Sequence, residues 1–252
     1  MAQRGVTPMM EHVLDKGMGV PAGRVVSKVD IVSAVTLILG IMVGSVAVTV
    51  TAGFTNPMYA YGLGVVGGAG VLTFGAYMFF SKTATFTAVT SVIYAVLQGL
   101  AVGGFTFGVG ESTLGDGTRG WTLVAPAVGG AVAVFFASVV LYALGIIRLG
   151  HRARSIITSV TLGFVGVYAI NFVFTVVFGH DFLMGSGPLP MVFSLVAIVV
   201  AALNVVMDTE NCDRAIRDGY PSGVAWGLGA SLAASFIWMY VEILRFLYLN
   251  NR

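Results

Sequence analysis

The chain has 252 residues, 57% of them hydrophobic and only 10% Asp, Glu, Lys or Arg, with a formal net charge of +2. A soluble domain carries about 25% charged residues, and no soluble core of this length uses so much apolar side chain; mean hydropathy is +0.94. These totals exclude a soluble globular protein, and the net charge is too small to imply a nucleic-acid partner. One cysteine, Cys212, rules out a disulfide within the chain. The 34 glycines suit close approach of membrane helices as well as loops.

Residues 1–29 form a polar segment. Arg4, Glu11, Asp15, Lys16, Arg24 and Lys28 are spread through it without an apolar run, so it does not read as a signal peptide. Residues 30–252 read as one membrane domain. No period-2 alternation recurs, which argues against a membrane barrel.

A span needs about 20 mostly apolar residues. Seven stretches qualify: Ile31 to Thr51, Met58 to Phe80, Ala88 to Val109, Trp121 to Ile147, Ile156 to Phe178, Leu189 to Met207 and Val224 to Leu249. The connections are short, so neighbouring spans run antiparallel in one all-α bundle. Arg4, Lys16, Arg24, Lys28, Lys82, Arg148, Arg152, Arg154, Arg214 and Arg217 fall on one side, against Arg119, Arg245 and Arg252 on the other. The positive-inside rule then puts the N-terminus in the cytoplasm and, with seven crossings, the C-terminus outside a cell (inner) membrane. If the last stretch re-enters instead of crossing, the count is six and both termini share a side.

Ionisable side chains inside a span cost roughly 2.5–3.5 kcal/mol each on insertion scales, which makes them functional candidates. Here they are Asp30, Asp208, Glu242 and Arg245. Asp30 fits an ordinary acid at a helix N-terminus. Asp208 closes the sixth apolar run, with Asn204 four residues earlier on the same face; the plainer reading is an interfacial carboxylate that ends the run. Glu242 lies 18 residues beyond Val224, about 27 Å along a helix. Arg245 follows at i+3, where a local ion pair forms. That pair reads either as snorkelled at the outer interface beside an aromatic belt of Trp238, Tyr240 and Tyr248, or as buried. Gln98 and Asn171 are amides within spans, suited to hydrogen bonds across helices or to lining a watery path.

Soluble catalytic signatures are missing: no HExxH, GxSxG, CxxC or Walker loop occurs. The three histidines are dispersed among the tail and the loops. The expectation is a protein that is not an enzyme and holds no cofactor.

The segments AALNVVMDTE (Ala201 to Glu210) and FIWMYVEILRFL (Phe236 to Leu247) carry a recognisable pattern. YAVLQGLAVGG (Tyr94 to Gly104), the basic turn GIIRLGHRARS and the fifth-span segment around Asn171 match more weakly. Over about residues 30 to 249 the chain resembles the Bax inhibitor-1 (transmembrane Bax inhibitor motif) family, in its bacterial, actinobacterial-type form. The resemblance implies six helices around a central seventh and a pH-dependent leak of calcium, or another cation, through the membrane. It also implies a carboxylate at the end of the sixth helix paired with one in the seventh through a shared proton. Asp208 carries over as pH sensor and candidate calcium ligand, with Asn204 beside it on the ion path and Glu242 as a second buried acid on the exit path. The second acid falls at Glu242 if the match runs through Tyr240-Val241-Glu242. It falls near Ala234 or Ser235, where there is no carboxylate, if the match runs from Trp226. The helix spacing favours the second register and sets Glu242 at a different depth. Arg245, Gln98 and Asn171 are candidate partners of the acids. The sequence departs from the family in having no arginine in spans two and three, and Gln98 where a glutamate is frequent. The alternative function is a non-conducting scaffold or regulator that binds another membrane protein.

Overall fold

The structure, a computed structural model, describes residues 24–252 apart from 82, 83, 148 and 186. Most of the polar segment 1–29, with Arg4 and Lys16, therefore lies outside the described residues, as do Lys82 and Arg148. Seven helices are long and apolar enough to cross a membrane. They are α1 (Lys28–Thr55), α2 (Pro57–Phe80), α3 (Ala88–Glu111), α4 (Val124–Ala143, preceded by a 3-10 turn Gly120–Leu123), α5 (His151–Phe178), α6 (Pro188–Arg217) and α7 (Ala225–Asn250, preceded by a 3-10 turn Ser222–Val224).

Local chemistry fixes the ends. Ser27 caps α1 in a capping box with Asp30, whose carboxylate also meets Arg24; this is the N-terminal acid expected at that position. Asn56 caps α2, with Pro57 in its first turn. Thr87 and Thr90 form the capping box of α3. Gly179, at φ +70°, terminates α5.

Three boundaries differ from the hydropathy reading. Helix α6 does not stop at Asp208 but runs to Arg217. The charges there end the apolar run without ending the helix, because Arg214 and Arg217 in the last turn favour a helix C-terminus. Helix α5 begins at His151, taking Arg152 and Arg154 into its first turn. Helix α4 ends at Ala143, and Gly145 turns the chain at φ +69°.

Crossing number follows from the chain ends. Val26 donates its N–H to the Tyr220 carbonyl at 2.8 Å, beside the α6–α7 connection. At the opposite end, Gly115 in the α3–α4 loop donates to the Asn251 carbonyl at 2.8 Å. The chain therefore crosses seven times, and α7 traverses rather than re-enters. Arg24, Lys28, Arg152, Arg154, Arg214 and Arg217 gather at one end, called the basic end below.

Helix α7 is central. It packs along α6, α1, α4 and α3, and with α3 it buries the largest share of any span, whereas α2 and α5 bury the least. Lipid tails are as apolar as leucine, so helices associate here through close packing and polar bonds. The α2–α3 contact shows the first device. A Cβ on Gly64 would stand 2.9 Å from the Gly104 Cα, and one on Gly67 would stand 2.4 Å from the Ala101 nitrogen. These backbones touch, and no larger residue fits. The α5–α6–α7 contacts show the second device.

Candidate functional site

On α7 the residues Ser231, Ser235, Trp238, Glu242 and Arg245 recur at steps of four and three. Such spacing keeps one stripe on one face. On α6 the same spacing joins Ser194, Ala197, Ala201, Asn204, Asp208 and Asn211, all buried. On α5 it joins Arg154, Thr161 and Tyr168 at steps of seven. The three stripes meet in a polar seam crossed by side-chain bonds at several depths.

At the basic end, Arg154 of α5 meets Glu210 of α6. Tyr142 of α4 donates to Asp213 at 2.9 Å. One level deeper, Asp208 is 1% exposed. Its two oxygens accept from Ser231 at 2.8 Å and from Ser235 at 2.7 Å, both on α7. Among the described residues no basic side-chain nitrogen lies within ion-pair reach of it. Cys212 is buried four residues further along α6. Asn204, one turn the other way, donates its amide to Thr161 at 2.8 Å and to its own helix at Val200. It serves as an α5–α6 link rather than a ligand to Asp208.

In the half away from the basic end stands the second acid. Glu242 is fully buried and Arg245 is 6% exposed. One guanidinium nitrogen donates to both Glu242 oxygens, at 2.9 and 3.1 Å. Tyr168 donates to Glu242 at 3.0 Å, and the Trp238 indole donates to Tyr168 at 3.1 Å. The rings of Phe105 and Tyr168 lie 5.8 and 5.4 Å from the guanidinium carbon. The pair is not snorkelled at a lipid interface, and Trp238 and Tyr240 are not a belt. They face inward, Tyr240 hydrogen-bonding Thr106 of α3 at 3.0 Å.

Asp208 and Glu242 do not meet. Ser235 sits at Asp208, and Glu242 is seven residues further along α7, about 10 Å in helix rise. The register that runs from Trp226 is the one the structure adopts, and it sets serine hydroxyls opposite Asp208. Of the other candidate partners, only Arg245 reaches an acid. Among the described residues no hydrogen bond joins Gln98, half-buried on α3, to either carboxylate. Asn171 accepts the backbone N–H groups of Phe182 and Leu183 at 3.1 and 3.4 Å, so it ties down the α5–α6 loop instead of linking helices in mid-membrane. A tyrosine in an apolar run raises no hydropathy signal, so the mark of Tyr168 in the sequence is its spacing from Arg154 and Thr161.

One further property belongs to the seam. Among the described residues, the buried side-chain nitrogens and oxygens with no hydrogen-bond partner are Thr158 Oγ1, Ser194 Oγ, both amide atoms of Asn211, and Arg245 Nε. All lie on α5, α6 and α7. A buried polar group left unpaired costs about 1–3 kcal/mol, and such groups are ordinarily met by internal water. Helices α1 to α4 contain none. The described residues hold no cluster of three or more His, Cys, Asp or Glu side chains placed for a metal, so Asp208 is a lone carboxylate among neutral oxygens.

A family model described as Bax inhibitor 1 like matches residues 7–252, nearly the whole chain. No curated protein matches the sequence.

Proposed function

Because this chain belongs to the Bax inhibitor 1 like family, we propose that it is a passive, pH-sensitive leak for calcium, or another cation, rather than an enzyme. It would sit in the cell membrane with its basic end in the cytoplasm, where the excess of Lys and Arg favours that orientation. The observation that carries the reading is Asp208. A buried carboxylate balanced, among the described residues, by two serine hydroxyls stands toward the basic end of a seam that contains all the described unpartnered polar groups. The ionised carboxyl accepts from Ser231 and Ser235 together. The protonated carboxyl has one acceptor fewer and a donor of its own, so the α6–α7 contact depends on its proton. Ionised, Asp208 with the Asn211 amide oxygen one turn away offers the hard oxygens that calcium prefers. With one carboxylate instead of two, binding would be weak, as a leak requires.

Calcium flux in proteoliposomes across about pH 5 to 8 tests this. The parent protein should conduct in a pH-dependent way, and Asp208→Asn should conduct without that dependence. A parent protein silent at every pH would end the leak reading in favour of a scaffold. Unchanged pH dependence in Asp208→Asn would remove Asp208 as the sensor.

A further inference from the structure

We propose that the guanidinium of Arg245 is the barrier that closes the outer half of the α5–α6–α7 seam to cations, with Glu242, Tyr168 and Trp238 as the positioning residues that hold it there. The proposal rests on the leak reading of the same seam.

The two ends of the seam differ in charge. Toward the basic end Asp208 brings a negative charge with only hydroxyl partners. About 15 Å further along α7, ten residues past Ser235, the stripe ends in a positive charge. An arginine keeps that charge at any physiological pH. Its partner Glu242 cancels it overall but lies one turn nearer Asp208 on the same helix. A cation moving outward along the stripe therefore meets Glu242 first and then the guanidinium, which repels it. Because Arg245 occupies both Glu242 oxygens and Tyr168 occupies Oε1 as well, the carboxylate is not free to act as a cation ligand.

The guanidinium is also held from several directions. Glu242 binds it within α7. Tyr168 of α5 and Phe105 of α3 present ring faces to it. Trp238 fixes the Tyr168 hydroxyl. A side chain needed only to neutralise Glu242 would not require aromatic walls from two other helices. The level is nonetheless incompletely satisfied. Among the described residues Arg245 Nε has no partner, and the Ser194 hydroxyl of α6 stands beside Glu242 without meeting hydrogen-bond geometry. Two such polar groups on facing helices are of the kind ordinarily met by internal water. The seam at this level has the polarity of a path together with a fixed charge that stops cations.

The test is ion flux in proteoliposomes with the full-length chain. The compared variants are the paired neutral Glu242→Gln/Arg245→Gln, the charge-retaining Arg245→Lys, and Tyr168→Phe, with release of a small neutral dye measured alongside. The paired variant should raise calcium flux tenfold or more over the parent with dye release unchanged. Arg245→Lys should stay near the parent rate, and Tyr168→Phe should raise flux about threefold. Calcium flux equal in the parent and the paired variant would overturn the barrier and leave the leak standing. A rise shared equally by the dye would also overturn it, because that is a packing defect. Silence of the parent and the paired variant at every pH would overturn both readings. A silent parent with a conducting paired variant would support the barrier and end the resting leak. If the paired variant does not fold, Tyr168→Phe decides alone: no rise over the parent overturns the barrier.

Discussion

The two buried acids of this bundle sit one above the other on the α6–α7 side and are satisfied in opposite ways. Glu242 has a guanidinium across both oxygens, a phenol on one of them, and aromatic walls. Asp208 has two serine hydroxyls and, among the described residues, no cation. Burial alone does not decide what a carboxylate does. A fully compensated acid is a structural weld, because moving any member leaves a charge stranded in apolar surroundings. An acid held by hydroxyls can exchange its proton by rotating its neighbours' O–H bonds, with little rearrangement of the backbone.

This contrast can be broken from either side. The largest effect should come from Arg245→Ala, which leaves Glu242 buried without its counter-charge. We expect a loss of about 3–5 kcal/mol, read as a fall in unfolding midpoint in detergent. The companion Glu242→Leu/Arg245→Met should recover most of that loss, since an apolar pair of similar volume is often neutral. Recovery of nothing would mean that the charges are needed for more than each other. Tyr168→Phe comes next. It removes one donor from Glu242 and leaves the Trp238 N–H without its acceptor, an expected loss of about 2 kcal/mol in the same melts. Ser235→Ala should cost least, about 1 kcal/mol, because Asp208 retains Ser231. If Ser235→Ala proved as damaging as Arg245→Ala, the two acids would be equally welded and the contrast would fail.

The sequence was most informative where physics acts through long runs of one kind of residue. Seven spans and their order follow from apolar length, and the excess of Lys and Arg at one end follows from counting. The offset between Asp208 and Glu242 was legible too, because helix rise is fixed at about 1.5 Å per residue. Three things were harder to read. The continuation of α6 to Arg217 was hidden because hydropathy falls at Asp208, while the basic last turn that suits the helix C-terminus lies beyond the apolar run. The inward turn of Trp238 and Tyr240 was hidden because an aromatic residue near a span end satisfies a lipid interface as well as a buried hydroxyl. The seam itself was written in the three-and-four spacing of Ser231, Ser235, Trp238, Glu242 and Arg245. That spacing becomes meaningful only when α5 and α6 bring polar residues to the same depths. The role of Asn171 lies in backbone N–H groups of the loop at Phe182 and Leu183, which no side-chain pattern announces.

Cys212 gives the bundle a built-in reporter position. It is the chain's sole thiol, buried one helical turn beyond Asp208 on the way to the basic end. Any separation of α6 from its neighbours wide enough to admit an ion past Asp208 would also bring solvent close to that sulfur. The rate at which an impermeant maleimide reaches it, compared at different pH and between variants, would report opening from inside the unaltered protein.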